Sequence, residues 1–581
     1  MNVKEKLPVS YLLFTFHDRI SRLTYWVASI FIWSSFYILY NTLEHISNSA
    51  TYFIYPILFW TLVAVAIKRL HDINRSGYWL WLIIIPVIGP LVLIYFLGFK
   101  KGTHSRNKYG NNPLLASDYF KNDVITPIKK SLNEETLIVN DVTQLNPIEV
   151  TSIKIPHTKE ELQEIIQYSD LPISIGGGRF SMGGQTASAK TLHIDMRKLN
   201  AILEFSPEKK TIKVEAGIRW CDIQKKIDSS NLSIKIMQTY ANFTVGGSLS
   251  VNVHGRYMGL GSLILSVISL DLILENGNLI HASRTENYEL FAATIGCYNA
   301  IAVIYAAEFE LVENITVERV HIKMKQSEYF NFFQNKIRKN QEIVFHNADL
   351  YPPSYKNIRA VSWVKTTKKP TVKTRLMPLA AAYPIERYFI GAFSKSKFGK
   401  WRREFIIDPI IYLKQKVHWR NYEAGYDVAE LEPESRKKST FVLQEYFIPI
   451  HQIDVFTNNM SLIFKQYQVN VINVSIRHAF EENTSLLSWS QDEVFAFVIW
   501  YKQGVSQKEK ESVGDWTREL IDAAIALNGS YYLPYQAHAT ESQFHKAYPN
   551  AKKLMQLKNK LDPNYKFRNI IWDTYYKPQA Q

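Results

Sequence analysis

The sequence predicts an α+β protein preceded by an all-α, membrane-spanning region. Three observations predict it. Long apolar segments crowd the first hundred residues. From about Val142, short strand-like runs mix with helical ones without the regular spacing of a βαβ sheet. Two glycine-rich stretches, Ile175–Gln185 (IGGGRFSMGGQ) and Thr244–Arg256 (TVGGSLSVNVHGR), each come shortly after a strand-like run. The 581 residues include only two cysteines, Cys221 and Cys297, far apart and without ligand spacing. That argues against a disulfide framework or structural zinc, so no metal is expected and a reducing compartment fits. The formal charge of +15 reads as a generally basic surface or, more sharply, as attraction to an anionic membrane face. No Lys/Arg stripe interleaves with aromatics in a recognisable module, so no nucleic-acid partner is expected.

Leu23–Leu43, Thr51–Ile67 and Tyr78–Phe99 lack charged residues. About 20 apolar residues suffice to cross a bilayer, so each is a candidate span. Lys4, Lys6, Arg19 and Arg22 precede the first, and Lys68, Arg69 and Arg75 follow the second. The positive-inside rule then puts the N-terminus and the second loop in the cytoplasm. A third single crossing would carry Lys100, Lys101, Arg106 and Lys108 outside, against that rule. Pro86, Gly89 and Pro90 sit mid-segment, where they break a helix. A helical hairpin returning to the cytoplasmic side is therefore favoured over a crossing. Residues 114–145 are polar and read as a linker.

In the remainder, Thr158 and Glu161 form a capping box ahead of a stripe of Leu162, Ile165 and Ile166. Strand-like Leu171–Ile175, Leu192–Met196, Thr211–Gly217 and Ser233–Met237 follow, with a helix over Trp220–Asp228. A hairpin turns at Asn276-Gly277 within Asp271–Ser283, and Ala300–Leu311 is a further strand. The glycine stretches offer successive backbone N–H groups with no side chain in the way, which is what cradling a diphosphate requires. A third cluster at Gly296 (TIGCYNAIAVI) is hard to explain as another turn.

Two resemblances follow. FHDRISRLTYW (Phe16–Trp26), KRLHDINRSGYW (Lys68–Trp79) and KKGTHSRNKYGNNP (Lys100–Pro113) resemble a small bacterial inner-membrane protein family of unknown function. Asp18 departs from it, standing where glycine is common. His71 and Asp72 read as a structural cluster in preference to a functional pair. The ordered set PHTKEELQEII, GGGRFSMGGQ, VEAGIRWCDIQ, TVGGSLSVNVHG and ENYELFAATIGCYNAIAVI resembles the FAD-linked oxidase family typified by vanillyl-alcohol oxidase and the aldonolactone oxidases.

The second resemblance implies a two-subdomain flavin-binding fold with a sheet-based cap. The expected domains are a transmembrane helical domain (1–113), the linker (114–145), an FAD-binding domain (146–316), a substrate cap (317–520) and a C-terminal segment returning to the flavin domain (521–581). It also implies cofactor contacts. Gly176, Gly177, Gly178, Arg179, Phe180, Ser181 and Met182 would wrap the diphosphate. Thr244, Gly246, Gly247, Ser250, Asn252 and Gly255 would line the flavin side, with Gly296 and the stretch from Cys297 to Val303 on the adenine half. Many relatives bond flavin through a histidine where this chain has Phe180, so non-covalent FAD is expected. Tyr535 likewise replaces a lysine common in the sugar-lactone and polyprenyl-phosphoribose oxidases, so their substrates do not transfer directly. The lysine- and aromatic-rich stretch within 360–440 reads as a mobile flap, a membrane-skimming segment or a solvated helix.

Flavin oxidation of an alcohol needs a proton acceptor and a charge partner beside the ring. His254, Tyr535 and His538 are candidate proton handlers. Arg477 and Lys502 could hold an anion, and Glu445 could accept a substrate hydroxyl. The expectation is a membrane-anchored FAD-dependent oxidoreductase in a bacterial inner membrane, its catalytic portion cytoplasmic. It would oxidise a sugar, sugar lactone or lipid-linked sugar and pass electrons to quinone or oxygen. A non-catalytic flavoprotein redox sensor is the alternative.

Overall fold

The computed structural model describes residues 9–44, 51–52, 54–103, 107, 109, 113, 125–131, 134–379, 397–426, 436 and 438–576. The described residues form two compact units, the first within 1–122 and the second within 123–379 and 389–581.

In the first unit, helices Arg22–Glu44 and Ile54–Asp72 are long and apolar enough to cross a membrane. They meet through Ala28, Ile32 and Val65, with Leu12 and Ile20 packed alongside. The third apolar segment is a hairpin. A 3₁₀ helix, Gly77–Ile84, runs out and residues 88–99 run back helically. Trp79 meets Phe96 across the pair at 5.6 Å. A Cβ on Gly89 would stand 1.7 Å from the Leu82 carbonyl oxygen, so glycine is what lets the arms approach. The returning end lies against the helix end from which the segment left. Arg69 Nε donates to Leu97 O at 3.0 Å, and Trp26 Nε1 to Gly98 O at 3.1 Å.

One buried centre explains the motif residues of this unit. Arg19 Nη2 and Arg69 Nη1 reach separate oxygens of Asp72, at 2.9 and 2.6 Å. Thr103 N donates to Asp72 O, and Gly102 packs so close that a Cβ would lie 2.1 Å from Asp72 Oδ2. His71 Nδ1 bonds to Asp18 O at 3.0 Å and its ring stacks on Tyr109. Asp18 has φ +69°, a left-handed backbone that aspartate tolerates better than most residues and glycine adopts freely. The His71–Asp72 pair thus ties the unit's segments together.

The described part of the expected linker is not a tether. Ile125–Ser131 pairs antiparallel with Glu134–Val139, which pairs in turn with Ile148–Val150. Val139, Val150 and Ala187 bury together, with Leu137 packed against them. A short ladder of this composition looks as polar as a tether, which is why the sequence concealed it. Residues 114–124 otherwise lie outside the described residues, save Asn107, Tyr109 and Pro113 upstream of them.

The flavin-type half of the second unit has a small parallel sheet and a larger antiparallel one. In the first, Leu192–Asp195 lies between Ser152–Lys154 and Ile173–Gly176. The second runs Leu279–Ser283, Val267–Ile273, Val303–Glu313, Thr211–Glu215, Ile202–Ser206, with Leu232–Ile234 also on Val303–Glu313. Glu161 N donates to Thr158 Oγ1, starting helix Lys159–Tyr168, which buries Leu162 and Ile166. The chain comes back to this half at its end, where Ile173 N donates to Lys566 O and Arg568 N to Ile173 O.

The cap is an eight-stranded antiparallel sheet. Its order is Val417–Trp419, Thr316–Lys325, Asn357–Lys365, Ile343–Leu350, Val471–Ala479, Val494–Gly504, Ser439–Pro449, Ser530–Tyr531. Helices Ile453–Gln466 and Gln507–Ile525 cover one face: Phe456 packs on Tyr446 and Phe497, and Trp516 on Tyr501. The boundary expected at 520 falls inside the second of these helices. Because strand side chains alternate, Glu445 and Val498 point the other way. Glu445 pairs with Val498, and Arg477 with Ala496, on that opposite face.

Candidate active site

Between the cap's open face and the glycine loops lies a cavity of about 1320 Å³, its mouth included. Three backbone segments form the floor. The first, Gly177–Met182, leaves the parallel sheet after Gly176. Gly178 N donates to Thr244 Oγ1 at 3.2 Å, joining it to the second segment, which starts helix Val245–Ser250. Tyr298 and Asn299 supply the third, with φ of +53° and +52°. Arg179 also has φ +59°. Non-glycine residues held in such conformations cost about 1–3 kcal/mol each and concentrate at ligand sites.

The first loop is clamped from two directions. Asp141 Oδ2 accepts Gly184 N at 3.0 Å, Asn146 Nδ2 donates to Met182 O, and Val142 N to Arg179 O. These partners come mostly from residues first read as linker. From the chain's end, Met182 N donates to Pro534 O, and Gln185 Nε2 to the carbonyls of Leu533 and Tyr535. The loop is thereby held by bonds from within the chain on both sides. Behind it, Arg179 Nη2 pairs with Asp195 at 3.2 Å. Burial, then the Arg179 charge, push the neighbouring His193 down to about 3, so it stays neutral.

The opposite wall carries the polar chemistry. His254 Nε2 lies 2.6 Å from Glu445 Oε1, both side chains being almost fully buried. Tyr535 OH donates to Glu445 Oε2 at 3.2 Å. His254 Nδ1 faces its neighbour Gly255's carbonyl at 3.3 Å. Hydrogen bonds at both ring nitrogens therefore require a proton between His254 and Glu445. Burial, reinforced by the Glu445 charge, raises Tyr535 well above its ordinary value, so its hydroxyl keeps its proton. Tyr532 is raised likewise, by burial first and Glu445 second. Phe447, Trp489 and Tyr532 enclose the His254 ring. Beside the glycine loops Phe180 stacks on Phe243 at 4.3 Å, continuing to Tyr240.

Of the six expected catalytic residues, His254, Glu445, Arg477 and Tyr535 meet at this cavity. Lys502 does not. It pairs with Phe441, two residues along that strand from the lining residue Leu443, and so lies about 7 Å beyond the cavity's edge. His538 does not either: its carbonyl accepts Arg518 Nη1, and its ring lies against Gly514 on the cap helix. Burial takes its pKa down to about 4.

Of the expected cofactor residues, Gly177, Gly178, Arg179, Phe180, Ser181, Met182, Thr244, Gly246, Gly247 and Ser250 line the cavity. The others stand behind the wall. Gly176 makes room for His193, and Gly255 for Met237 O and the Tyr257 ring. Asn252 accepts Ile264 N, Gly296 turns against Ser485 and Asn252, and Cys297 and Val303 are core. Tyr298 and Asn299, inside the stretch expected at the adenine half, line it too, and lining residues not foreseen include Gln238, Thr239, Tyr532 and Asn569. Tyr532 sits inside the closing YYLPYQ segment, the one available signal. The others lie where chain turns are set by distant packing.

The wall fits a dinucleotide. Thr186 Oγ1, Thr239 Oγ1, Tyr298 OH and Arg477 Nε are buried at it without hydrogen-bond partners among the described residues. Such donors cost stability unless a ligand satisfies them. Glycine at 177, 178 and 247 lets the two glycine segments close on Thr244 and the Phe180 ring at the cavity wall.

Comparison with known proteins agrees. Residues 151–283 match the family described as FAD binding domain, and residues 13–111 match a protein family of unknown function, DUF805. The chain is 21% identical to L-gulonolactone oxidase of Bos taurus over 447 residues, 72% of this chain and 94% of that protein. It is 24% identical to cytokinin dehydrogenase 2 of Arabidopsis thaliana over 233 residues, 38% of this chain and 46% of that one. Inner membrane protein YhaI of Escherichia coli (strain K12) is 47% identical over 60 residues, 10% of this chain and 50% of its own length. The chain therefore joins a DUF805 segment to an FAD-binding domain, and it is an FAD-dependent oxidoreductase acting on CH–OH groups.

Proposed function

We propose that this protein is a membrane-anchored FAD oxidoreductase that oxidises an alcohol of a sugar, sugar lactone or lipid-linked sugar. The observation that carries the reading is Glu445 held between His254 and Tyr535 at the wall of the cavity lined by the glycine loops. Bound FAD would supply the hydride acceptor for the alcohol carbon, with quinone or oxygen as the onward electron acceptor. Gly177–Met182, Thr244–Gly247 and Ser250 would hold its diphosphate and ribityl chain, with Tyr298 and Asn299 toward the adenine half.

Glu445 accepts the substrate's hydroxyl proton. Tyr535 relays it, giving its own proton to Glu445 Oε2 while taking the substrate's. Its raised pKa suits that part, since a phenol that never stands ionised can only pass a proton on. His254 orients Glu445 through Oε1 and, by sharing a proton with it, limits the buildup of charge in a buried site. Arg477 stabilises negative charge on the substrate oxygen or the reduced ring. The likeness to an L-gulonolactone oxidase over most of that protein supports a sugar-lactone type of alcohol.

Anchoring is supported by the apolar helices, whose outward residues Ile30, Tyr37 and Phe59 are more than 60% exposed. Water would not tolerate such a surface, whereas lipid does. The charge pattern supports a cytoplasmic catalytic portion.

Phe180 offers no nucleophilic atom, and it is already stacked on Phe243. FAD is accordingly dissociable: acid precipitation should leave all the yellow colour in the supernatant, and a coloured pellet would overturn this. The reading as a whole is tested by mixing purified holoprotein anaerobically with a panel of sugars, sugar lactones and polyprenyl-phosphate sugars. Bleaching of the flavin by at least one is expected, followed by reoxidation with quinone or oxygen. A panel that leaves the flavin fully oxidised would sink the catalytic reading.

A further inference from the structure

Residues 397–413 are helical throughout and lie on the cap sheet with their apolar side outward. A surface helix ordinarily buries its apolar stripe and shows its charges to water. Here the charged side is the buried one. Lys400 Nζ donates to Asn470 Oδ1, and Arg403 Nη1 to Ile472 O. Glu404 takes Asn357 Nδ2 and Lys323 Nζ, and Asp408 accepts Tyr351 OH. The outward stripe is Phe398, Trp401, Phe405, Ile406, Ile410 and Leu413, exposed by between 43% and 83%. Phe398, Trp401 and Phe405 stack in series along it.

The inversion is held by five polar contacts, so it is not a helix that has merely failed to find its groove. The polar face is matched to the sheet, and the apolar face is left for something else. A contiguous apolar ridge of this kind on an enzyme marks an interaction surface.

We infer that this helix docks on an anionic phospholipid bilayer, burying its aromatic ridge among the headgroups and upper acyl chains. Charge selects that occupant. Residues 397–416 carry six basic side chains and two acidic ones. Lys400 and Arg403 bond inward to the sheet, as the acidic Glu404 and Asp408 do, so no acidic group of the stretch is left outside against the remaining basic ones. Lys414, exposed, and Lys416, half-buried, follow the ridge directly. Apolar anchors flanked by Lys and Arg describe an interfacial helix, each basic group near the surface adding about 1 kcal/mol. The same chain carries helices fit to cross a bilayer, so this surface is covalently linked to one.

Docking would also orient the site. The strand Val471–Ala479 presents Arg477 to the cavity and, five residues earlier, gives its Ile472 carbonyl to the helix. The helix therefore meets that strand roughly 16 Å from Arg477, and register through Arg359, Asp349 and Ser475 puts Lys323, the partner of Glu404, on the face of Arg477. A substrate carried by the membrane would meet the cavity side of the cap and not its helix-covered back.

The test uses the full chain with Phe405→Cys labelled by bimane, in phosphatidylcholine–phosphatidylglycerol vesicles. The native Cys221 and Cys297 are buried and leave the introduced thiol as the labelling site. Tyr168→Cys, at an exposed helix end of the flavin half, is the reference. At position 405 the emission should shift to the blue, lose quenching by iodide and gain quenching by a nitroxide phospholipid. The reference label should respond only to iodide. Adding Phe398→Ser and Trp401→Ser should return the 405 label to iodide while the flavin absorbance is retained. Quenching of both labels by iodide alone overturns the inference. So does a 405 label shielded from both quenchers, because protein, whether this chain or a second copy, would then cover the ridge. An unchanged response in phosphatidylcholine alone would overturn the requirement for anionic lipid. None of these readouts depends on which alcohol reduces the flavin.

Discussion

Glu445→Gln should slow anaerobic flavin reduction by about 10²- to 10⁴-fold, the range for losing a positioned general base, while FAD content stays near wild type. Gln preserves the volume and can still accept from Tyr535, but it cannot take up a proton. Glu445 is the one carboxylate at the cavity wall bonded to both His254 and Tyr535. Losing it leaves the substrate hydroxyl without an acceptor. Tyr535→Phe should cost less, because Glu445 remains within reach through water, and its loss should fall on the reduction rate more than on substrate affinity. The check is stopped-flow bleaching at 450 nm, roughly, with the best alcohol from the anaerobic screen. A Glu445→Gln enzyme reduced at the wild-type rate would show that the proton leaves elsewhere.

Gly177→Ala is expected to weaken FAD binding. Its Cβ would lie 2.3 Å from Thr244 Oγ1, and Thr244 is buried and accepts the neighbouring Gly178 N–H. The two glycine segments meet at that hydroxyl, so the added methyl must push them apart where the diphosphate sits. Overpacking of this kind costs about 1–3 kcal/mol, which is about 5- to 150-fold in Kd. Titration of apoprotein with FAD, followed by flavin fluorescence, measures it directly. Thr244→Ala in the same chain removes the obstructing hydroxyl and should recover part of the loss, a coupling expected only for touching side chains. An unchanged Kd for Gly177→Ala alone would mean that the junction of the loops does not hold the cofactor.

The glycine loops were legible because their signal is local: successive small residues after a strand report an open backbone wherever they fold. The same signal overreached at Gly176 and Gly255, whose missing side chains make room for His193 and for Met237 O with the Tyr257 ring. A glycine announces a close approach without naming what approaches. The left-handed backbone of Tyr298 and Asn299, within the stretch expected at the adenine half, has no compositional sign, since neither is glycine. Lys502 and His538 were reasonable by chemistry, but strand register and helix packing carry them off the cavity. The first glycine loop is held by Asp141, in a stretch whose polarity suggested a linker, and by Asn146 just after it.

The sequence by itself determined the division into an apolar front and a flavin-type enzyme, the absence of a flavin-bonding histidine at Phe180, and the break at Pro86, Gly89 and Pro90. All of these follow from residue type and order along the chain. Only the tertiary structure decided that Glu445, His254 and Tyr535 share a proton network, since they come from segments separated by 191 and 90 positions. It alone decided, too, that helix 397–413 turns its charges inward. Periodicity locates the two faces of a helix, but which face is covered depends on the polarity of the surface it meets, here the Asn357, Asn470 and Tyr351 side of the sheet.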